Sequence, residues 1–460
     1  MIHQFTMDGT FVVLDIFSGS VHVVDEVAYD IIGMYQTSSK EEITAFVLEK
    51  YRDRDDVNEQ EIAECMEDIE ALREAGKLFT EDVYETVAKQ YRRNQTAIKA
   101  LCLHVAHVCN LACSYCFAGQ GAYKGKCGLM SLETGKKAID FLIANSEHHK
   151  NLDIDFFGGE PLMNWEVVKE LVAYGREQEK LHNKNIRFTL TTNGMLLDEE
   201  VTEFCNKEMH NVVLSLDGRK EVHNRFRVDY KNQGSYDIVV PKFQKFVNQR
   251  GDKSYYIRGT YTHHNTDFLQ DIIHMADLGY SELSMEPVVC DPSDPCALTD
   301  QVMAVMKQQY EDLAREKIKR NKEGNGFTFY HYMLSLTGGP CIYKRVSGCG
   351  SGTEYLAVTP EGDLYPCHQF VGNKDYCMGN LDEGVSNTEL RNEFASCNVY
   401  TRPVCETCWA KLYCAGGCAA NAYNATGSIN GIYEYGCELF RKRIECALMV
   451  KIAEQEKTEE

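Results

Sequence analysis

The stretch HVCNLACSYCFAGQG, residues 107–121, carries a closely spaced set of metal-binding side chains. Three cysteines form a C-x3-C-x2-C pattern, namely Cys109, Cys113 and Cys116. The aromatic Phe117 follows them at once, and no further cysteine occurs until Cys127. Zinc and iron–sulfur sites usually take four protein ligands. The pattern therefore leaves one coordination position unfilled.

Two kinds of metal site could use these thiolates. Zinc is common at C-x2-C pairs, but C-x3-C-x2-C fits paired zinc knuckles poorly, and no matching second pair lies close by. An iron–sulfur cube that is held by three thiolates keeps one iron with an open coordination position. The pattern therefore favours a cluster that can also bind a small molecule.

The chain as a whole has the composition of a soluble globular protein. It has 460 residues, of which 44% are hydrophobic and 25% charged, and a chain of this length predicts about two to four domains. The first residues lack the basic and apolar regions of a secretory signal, and no apolar run approaches the ~20 residues of a membrane span. We therefore expect a cytoplasmic protein with no membrane partner, whose 20 cysteines are thiols rather than disulfides.

The negative charge is concentrated at the start of the chain. The net charge is -21, and residues 1–85 hold 21 acidic against 6 basic side chains. In the same segment, TFVVLDIFSGSVHVVDEVAYDII predicts two short strands and a helix, two amphipathic helices follow, and KLF predicts a last strand. This order is typical of a winged helix-turn-helix. Because DNA binding needs a basic face, the acidity disfavours nucleic acid and favours capture of a peptide by strand addition.

From residue 99 onward, predicted strands and helices alternate. The predicted strands are ALCLHVAH, LDIDFFGG, IRFTLTTNG, VVLSLDG, YYIRGTYTH and ELSMEPV. Helices are expected to begin near Ser131, Trp165, Asp198, Asp237 and Asp267, and a long one at about 299–321. Six such units predict an α/β fold with a partial (β/α)6 TIM-like barrel, in which ligands bind at the carboxyl ends of the strands.

Three polar turns end strands at the same rim as the cysteine loop. GGEP contributes Gly158, Gly159 and Glu160, TTNG contributes Asn193, and SLDG contributes Ser215 and Asp217. Each turn alone is more often a plain loop. Their joint position beside a three-cysteine loop predicts a single ligand site.

These motifs resemble those of the radical S-adenosylmethionine (SAM) enzymes, and the resemblance spans about residues 99–290. It implies that Cys109, Cys113 and Cys116 hold a catalytic [4Fe–4S] cluster whose open iron binds the amino and carboxylate groups of SAM. Glu160 would bind the amino group, Ser215 and Arg227 the carboxylate, and Asn193 would lie near the ribose. Phe117, Gly158, Gly159 and Asp217 complete the implied cofactor-binding set. Cleavage of SAM would give a 5′-deoxyadenosyl radical that abstracts a hydrogen atom from the substrate.

The cysteines near the end of the chain are similar to the seven-cysteine pattern of SPASM domains, which carry two auxiliary [4Fe–4S] clusters. The resemblance implies an outer cluster on Cys405, Cys408, Cys414 and Cys437. It implies an inner cluster on Cys349, Cys367 and Cys418, which is one ligand short. Cys341 could supply that ligand, or the iron could stay open for substrate; we favour the open site. Structural zinc sites of the zinc-ribbon type are the alternative interpretation of the pattern.

Over nearly the whole chain, the sequence also resembles the maturases of SCIFF peptides (six cysteines in forty-five residues). These maturases are grouped with the sactipeptide enzymes, which install thioether bonds in ribosomally synthesised and post-translationally modified peptides (RiPPs). The resemblance implies four segments: a precursor-peptide recognition domain (residues 1–88), a linker (89–98), the radical SAM partial barrel (99–325) and a SPASM domain with a C-terminal helix (326–460). The implied activity is an intramolecular thioether cross-link from a Cys sulfur to a carbon of an acceptor residue, with Thr as the expected acceptor. The implied partners are a precursor peptide, whose leader binds the first domain, and an electron donor such as a flavodoxin or ferredoxin.

Other activities stay open at this point. Sulfatase maturases, which make formylglycine, carry Asp directly after the Gly-x4-Cys cysteine, whereas this chain has His368 there. A non-enzyme alternative is an iron–sulfur redox sensor with a DNA-binding winged helix, which the charge disfavours. A purely structural zinc protein is the last alternative.

Overall fold

The structure is a computed structural model that describes residues 1–93, 97–123, 125, 127–336 and 341–459. All 20 cysteines lie within these residues, and each is a free thiol. Within the same residues, no helix combines the length and the apolar character that crossing a membrane would need.

The first 90 residues form a small three-stranded sheet with helices. The elements are β1 (Ile2–Met7), β2 (Thr10–Asp15), β3 (Val21–Val24), α1 (Glu26–Met34), α2 (Lys40–Lys50), α3 (Glu59–Glu74) and α4 (Glu85–Gln90). The strands are antiparallel in the order β1-β2-β3. Polar caps begin the first three helices: Asp25 accepts from the Ala28 amide, Ser39 forms a capping box with Glu42, and Asn58 accepts two amides of α3.

Two sequence predictions for this segment were wrong. Strand β1 was not predicted, because MIHQFTM is short and its apolar residues do not alternate strictly with polar ones. The predicted KLF strand, residues 77–79, does not form: Phe79 has a φ of 53°, which turns the chain out of an extended path. Leu78 is instead buried in the core, and the next amide, that of Thr80, donates to the carboxylate of Asp15. The winged-helix assignment stays a prediction.

The middle of the chain has the predicted alternation of strands and helices. The strands are β4 (Ala100–Ala106), β5 (Asn151–Gly158), β6 (Asn185–Thr192), β7 (Asn211–Ser215), β8 (Tyr255–Tyr261) and β9 (Glu282–Pro287). The helices are α5 (Leu132–Ala144), α6 (Trp165–His182), α7 (Glu199–Glu208), α8 (Lys220–Phe226), α9 (Tyr236–Arg250), α10 (Phe268–Asp277) and α11 (Asp300–Glu323). All six predicted strands are confirmed, and they pair in parallel, each with the next along the chain. Helix α8 was not predicted.

Alternating burial fixes how each strand faces the core. On β5, Leu152, Ile154 and Phe156 are fully buried, whereas Asp153 and Asp155 between them are only partly buried. A period of two places the apolar side chains on one face and the polar ones on the other. The parallel sheet therefore buries one face under its helices and keeps polar residues on the opposite face.

The last part of the chain continues the same sheet instead of forming a separate one. Its strands are β10 (Thr328–Phe329), β11 (Tyr355–Val358), β12 (Asp363–Tyr365), β13 (Gly379–Asn380) and β14 (Gly384–Val385). Its helices are α12 (Ile342–Ser347), α13 (Thr388–Ser396), α14 (Pro403–Glu406), α15 (Lys411–Cys414), α16 (Ala419–Thr426) and α17 (Glu434–Glu459). The strand order is β10-β9-β8-β7-β6-β5-β4-β11-β12-β13-β14. Because β11 pairs with β4 in parallel, the cysteine-rich region is joined to the barrel by hydrogen bonds at the strand that precedes the three-cysteine loop.

The connector between the first domain and the barrel is more deeply buried at Arg93 than its polar sequence indicates. Arg93 is 7% exposed, and its guanidinium pairs with the Glu354 carboxylate at 2.6 and 2.9 Å. The same guanidinium donates to the backbone carbonyls of Ser347 and Gly348. It therefore holds in place the loop that precedes Cys349.

Candidate active site

A cavity of about 240 Å³ lies at the carboxyl ends of the barrel strands, beside the three-cysteine loop. Its walls include these predicted site residues: Cys109, Cys113, Cys116, Phe117, Gly158, Gly159, Glu160, Asn193, Ser215 and Arg227. The remaining predicted cofactor residue, Asp217, is fully buried and is not part of the wall. The structure thus brings the polar turns and the cysteine loop together, as expected from their positions at the carboxyl ends of the strands.

The three thiols of the loop lie near one another and are partly buried. Burial raises the pKa of Cys109 to about 12, and the neighbouring Glu160, Cys113 and Cys116 act in the same direction. Burial likewise raises the pKa of Cys113 to about 11. The Leu111 amide lies 3.4 Å from the Cys109 sulfur and can donate to it. Such thiols ionise when a cation or cluster binds, since the bound charge offsets the burial cost.

The two glycines of GGEP allow the strand end to approach the cysteine loop. Gly158 has a φ of 123°, and a Cβ placed there would collide with the carbonyl oxygen of Ala106. A Cβ on Gly159 would collide with the carbonyl oxygen of Val108. Any side chain would therefore push β5 away from the segment that leads into Cys109.

Glu160 is a buried carboxylate at the cavity wall. It is 1% exposed and accepts hydrogen bonds from the Thr192 hydroxyl at 2.8 Å, the Asn193 amide at 2.8 Å and the Leu162 amide at 3.0 Å. Burial nevertheless raises the pKa of Glu160 to about 7. A cationic ligand, such as an ammonium group, would favour the ionised form.

Asp217 positions Arg227 rather than reaching the cavity. One of its carboxylate oxygens accepts from the Tyr115 hydroxyl at 2.6 Å and from Arg227 Nε at 2.9 Å. The other accepts from the Thr260 amide at 3.1 Å. Burial lowers the pKa of Arg227, but the neighbouring Asp217 and Tyr115 act in the opposite direction. The net pKa lies well above its ordinary value, so the guanidinium stays charged. Tyr115 was not predicted, although its place between Cys113 and Cys116 was a signal.

Asn193 ties the TTNG turn to the cysteine loop. Its side-chain nitrogen, Nδ2, lies 2.8 Å from Asn110 Oδ1 and 3.7 Å from the Cys109 sulfur. Its side-chain oxygen accepts from the Met195 amide at 3.0 Å. Asn193 therefore stabilises the loop in addition to lining the cavity wall.

A second cavity, of about 740 Å³, adjoins the first and reaches the cysteine-rich region. The two cavities share wall residues, among them Arg258, Glu286 and His368. The second cavity is also lined by five predicted auxiliary cysteines: Cys349, Cys367, Cys414, Cys418 and Cys437. The barrel rim and the cysteine-rich region therefore form one connected space.

The auxiliary cysteines interact electrostatically with other members of their predicted ligand sets. We call Cys349, Cys367 and Cys418 the inner set; burial raises the pKa of Cys367, and its two partners raise it further. We call Cys405, Cys408, Cys414 and Cys437 the outer set. Burial raises the pKa of Cys414 to about 12, and the other three members act in the same direction.

The residues fit iron–sulfur clusters better than a single ion. Among the described side chains, no three His, Cys, Asp or Glu residues converge closely enough to surround one metal ion. Eight of the ten predicted ligand thiols, all except Cys405 and Cys408, line two cavities of about 240 and 740 Å³, which have room for a group of several metal ions. The donor set is thiolate throughout, which iron–sulfur clusters prefer.

Cys341 is not brought to the inner set by the structure. It is exposed and lies near Tyr91 of the connector. Cys341 is part of the wall of neither cavity, and residues 337–340 before it lie outside the described part of the chain. The open site stays the prediction, and Cys341 as fourth ligand stays the alternative.

His368 occupies the position after Cys367 and lines both cavities. Its ring lies 5.6 Å from that of Phe117 and 5.0 Å from that of Phe157, between centroids. Burial lowers the pKa of His368 to about 4. The imidazole is therefore neutral near pH 7.

Two family models match parts of this chain. Residues 103–275 match the family model of the radical SAM superfamily, and residues 349–409 match that of the SPASM iron–sulfur cluster-binding domain. The radical SAM cyclopropyl synthase TigE of Paramaledivibacter caminithermalis is 23% identical over 376 residues, covering 78% of this chain and 75% of that protein. A cysteine-type anaerobic sulfatase-maturating enzyme of Clostridium perfringens is 26% identical over 338 residues, covering 67% of this chain and 85% of that enzyme.

Solved structures share the fold. Native anSMEcpe with bound AdoMet aligns with a TM-score of 0.64 at 21% identity, over 78% of this chain and 99% of that one. Streptococcus suis SuiB bound to precursor peptide SuiA aligns with a TM-score of 0.53 at 15% identity, over 94% of this chain and 97% of that one. At these identities the likeness is one of fold.

Proposed function

We propose that this chain, which contains a radical SAM domain and a SPASM domain, installs a thioether cross-link in a Cys-rich ribosomal precursor peptide. The bond joins a Cys sulfur to a carbon of an acceptor residue, with Thr as the expected acceptor. The observation that carries the proposal is the connected space between the barrel rim and the inner set, which share Arg258, Glu286 and His368 as walls. A peptide in that space can contact both sites at once.

We assign one cluster to each of the three groups of cysteines. Cys109, Cys113 and Cys116 would hold one [4Fe–4S] cluster with SAM beside it, and the inner and outer sets would hold two more, three in all. When bound, these groups supply hydrogen-atom abstraction and electron transfer, chemistry that side chains alone lack.

The chain's own residues bind and orient SAM. Glu160, whose ionised form a cation stabilises, would bind the amino group. Arg227 would bind the carboxylate, since Asp217 and Tyr115 fix its guanidinium at the wall and charged fork donors suit carboxylates. Ser215 would complete that contact from the end of β7. Positioned groups of this kind lower the barrier by fixing the reacting geometry in advance.

The inner set would hold the substrate thiol. Its three cysteines leave one position of a four-ligand cluster for another thiolate, and the peptide can supply it. The wall residues Glu286 and Arg258 are paired with each other, and His368 is neutral. This part of the wall therefore carries little net charge against an incoming thiolate.

The first domain is suited to binding a leader peptide by strand addition. Strand β3 pairs with β2 alone among the described residues, and Val23 on it is 53% exposed. Burial raises the pKa of Cys65 on α3 to about 11, and the nearby Asp25 and Asp68 raise it further. Asp25 follows β3 directly, and Asp68 lies with it near Cys65, which favours a leader with basic residues. The SuiB fold with its precursor peptide supports a peptide substrate.

A second candidate is formylglycine formation, because the sulfatase-maturating enzymes are among the relatives. His368 stands where those enzymes are expected to carry Asp, which argues against it. The redox-sensor alternative would require a salt-sensitive DNA complex without SAM cleavage, and the zinc alternative would require zinc without iron on anaerobic metal analysis.

One reaction distinguishes the candidates. The full chain is reconstituted anaerobically with iron and sulfide, then incubated with SAM, a flavodoxin or chemical reductant, and a Cys-rich peptide encoded beside its gene. A cross-link gives 5′-deoxyadenosine, a peptide lighter by two hydrogens and a thiol that no longer alkylates. Formylglycine formation instead replaces the Cys sulfur by a carbonyl oxygen. Absence of deoxyadenosine and of any mass change contradicts both.

A further inference from the structure

Two arginines without carboxylate partners lie beside the outer set. Arg402 is 4% exposed, and Arg443 has two guanidinium nitrogens, Nε and Nη1, that are out of contact with solvent and have no hydrogen-bond partner. Both line the 740 Å³ cavity. Among the described residues, neither forms an ion pair. A buried cation without a counter-charge is unfavourable, so its presence requires an explanation.

Arg402 is held by uncharged acceptors only. Its Nε lies 3.2 Å from the Cys397 sulfur, its Nη2 donates to the Ile429 carbonyl at 2.7 Å, and its Nη1 donates to the Gly416 carbonyl. These bonds fix the direction of the guanidinium but do not neutralise its charge.

Arg443 is held by aromatic rings. On α17 its guanidinium carbon lies 5.1 Å from the Phe440 ring centre and 6.0 Å from that of Tyr310. Glu286 is the nearby carboxylate whose pKa Arg443 lowers, but Glu286 already pairs with Arg258. The charge of Arg443 is therefore left largely uncompensated.

Both arginines lie close to the outer set. They line the 740 Å³ cavity together with Cys414 and Cys437. The Arg402 side chain is also a hydrogen-bond partner of the Cys405 thiol, and Arg443 interacts electrostatically with Cys414. The two cations therefore border the same four cysteines.

We propose that Arg402 and Arg443 are the counter-charges of the outer auxiliary cluster and raise its reduction potential. This rests on the proposed function, in which these four cysteines hold a [4Fe–4S] cluster. A 2+ core with four thiolates carries a net charge of about two negative units, which two arginines balance. One-electron reduction adds a third negative unit, so nearby buried cations stabilise the reduced state. The outer cluster is thereby suited to accept the electron that thioether formation releases.

The test measures the potential of the outer cluster alone. The full chain carries Cys109→Ala, Cys113→Ala, Cys116→Ala and Cys349→Ala, which leaves the outer set intact. In this background, Arg443→Met removes the charge, and Arg443→Lys keeps it. Arg441→Gln is the matched control on the same helix, because Arg441 also interacts with Cys437 but is not part of the cavity wall. Iron content and a dithionite titration followed by electron paramagnetic resonance are measured for each.

The expected result is a more negative midpoint potential in Arg443→Met, near-background potential in Arg443→Lys, and a smaller shift in Arg441→Gln, all at about four irons per chain. An unchanged midpoint in Arg443→Met at full iron content overturns the inference and leaves the cofactor set standing. Loss of iron from both Arg443 variants also overturns it, because packing rather than charge is then responsible. A background chain that binds no iron refutes the proposed outer cluster itself.

Discussion

The imidazole of His3 lies flat on the indole of Trp409, with ring centroids 3.6 Å apart and an angle of 5° between the planes. His3 Nε2 is also 2.9 Å from Glu445 Oε1 on α17. His3 belongs to β1 of the first domain, and Trp409 follows Cys408 of the outer set. The first domain is therefore fastened by its first strand to the segment that contains Cys408.

Replacing His3 should loosen this attachment. Stacked aromatic pairs contribute about 1 kcal/mol beyond the area they bury, so His3→Ala should expose Trp409. Trp165→Phe removes the other of the two tryptophans, and in that background His3→Ala should move the fluorescence emission of Trp409 to longer wavelength. His148→Ala, on an exposed loop, is the control. Equal emission in both variants would contradict the attachment.

The same contact should depend on pH. Burial raises the pKa of Glu445, but its bonds to His3 and Lys442 lower it more, and the net pKa is below the ordinary value. The stabilisation is then present above the ordinary Glu pKa of about 4.3 and is lost as the pH falls below it. Trp409 emission in the Trp165→Phe chain should be constant from pH 7 to about 5 and shift in acid. Glu445→Gln should remove that acid step, and Glu438→Gln should not.

Cys341→Ala tests whether the inner set is complete without it. Because Cys341 is exposed and lies by Tyr91, we expect the variant to keep the iron content and the auxiliary-cluster spectrum of the parent chain. Cys349→Ala, which removes a cavity-wall thiol, should lose about four irons per chain. Loss of the same irons from Cys341→Ala would show that Cys341 is the fourth ligand and that no position is open for a peptide thiol.

The barrel was predictable because its signals are local. Alternating burial, as at Leu152, Ile154 and Phe156, is visible in the sequence as a period of two. The pairing of β11 with β4 was not predictable, since it joins residues about 250 positions apart and nothing local encodes the partner. The KLF segment had strand-like composition, but the left-handed conformation of Phe79 and the bond from Thr80 to Asp15 override it.

The site was predictable to the extent that its residues lie in motifs. Glu160, Asn193 and Arg227 reach the cavity as expected. The role of Asp217 differs, because its carboxylate is occupied by Tyr115, Arg227 and Thr260, contacts that arise only from the fold. The buried arginines at 93, 402 and 443 carry no sequence signal, since a charged residue in a connector or helix is ordinarily exposed.

Blocking the free edge of β3 should weaken leader binding. Val23→Pro removes one backbone donor and cannot continue a ladder, so the affinity for a leader peptide should fall at least tenfold, or about 1.4 kcal/mol. Val23→Thr keeps the strand and should bind normally. Fluorescence anisotropy of a labelled leader measures both. Asp68→Asn should reduce binding less, and mainly at low salt, because the contact is electrostatic. Equal affinity in Val23→Pro and the parent would exclude this edge.

Asp217→Asn should weaken SAM binding although Asp217 does not line the cavity. Asn lacks the charge that holds Arg227 at 2.9 Å, and its single acceptor oxygen cannot serve both Tyr115 and Arg227 on one side and the Thr260 amide on the other, so the guanidinium is no longer fixed toward the carboxylate. We expect at least a tenfold loss of SAM affinity, about 1.4 kcal/mol, measured by anaerobic equilibrium dialysis at unchanged iron content. Asp271→Asn is the matched control: Asp271 is equally buried and pairs with Arg219 at 2.8 Å, which lies outside the cavity wall. If both variants lose affinity alike, general destabilisation and not the position of Arg227 is the cause.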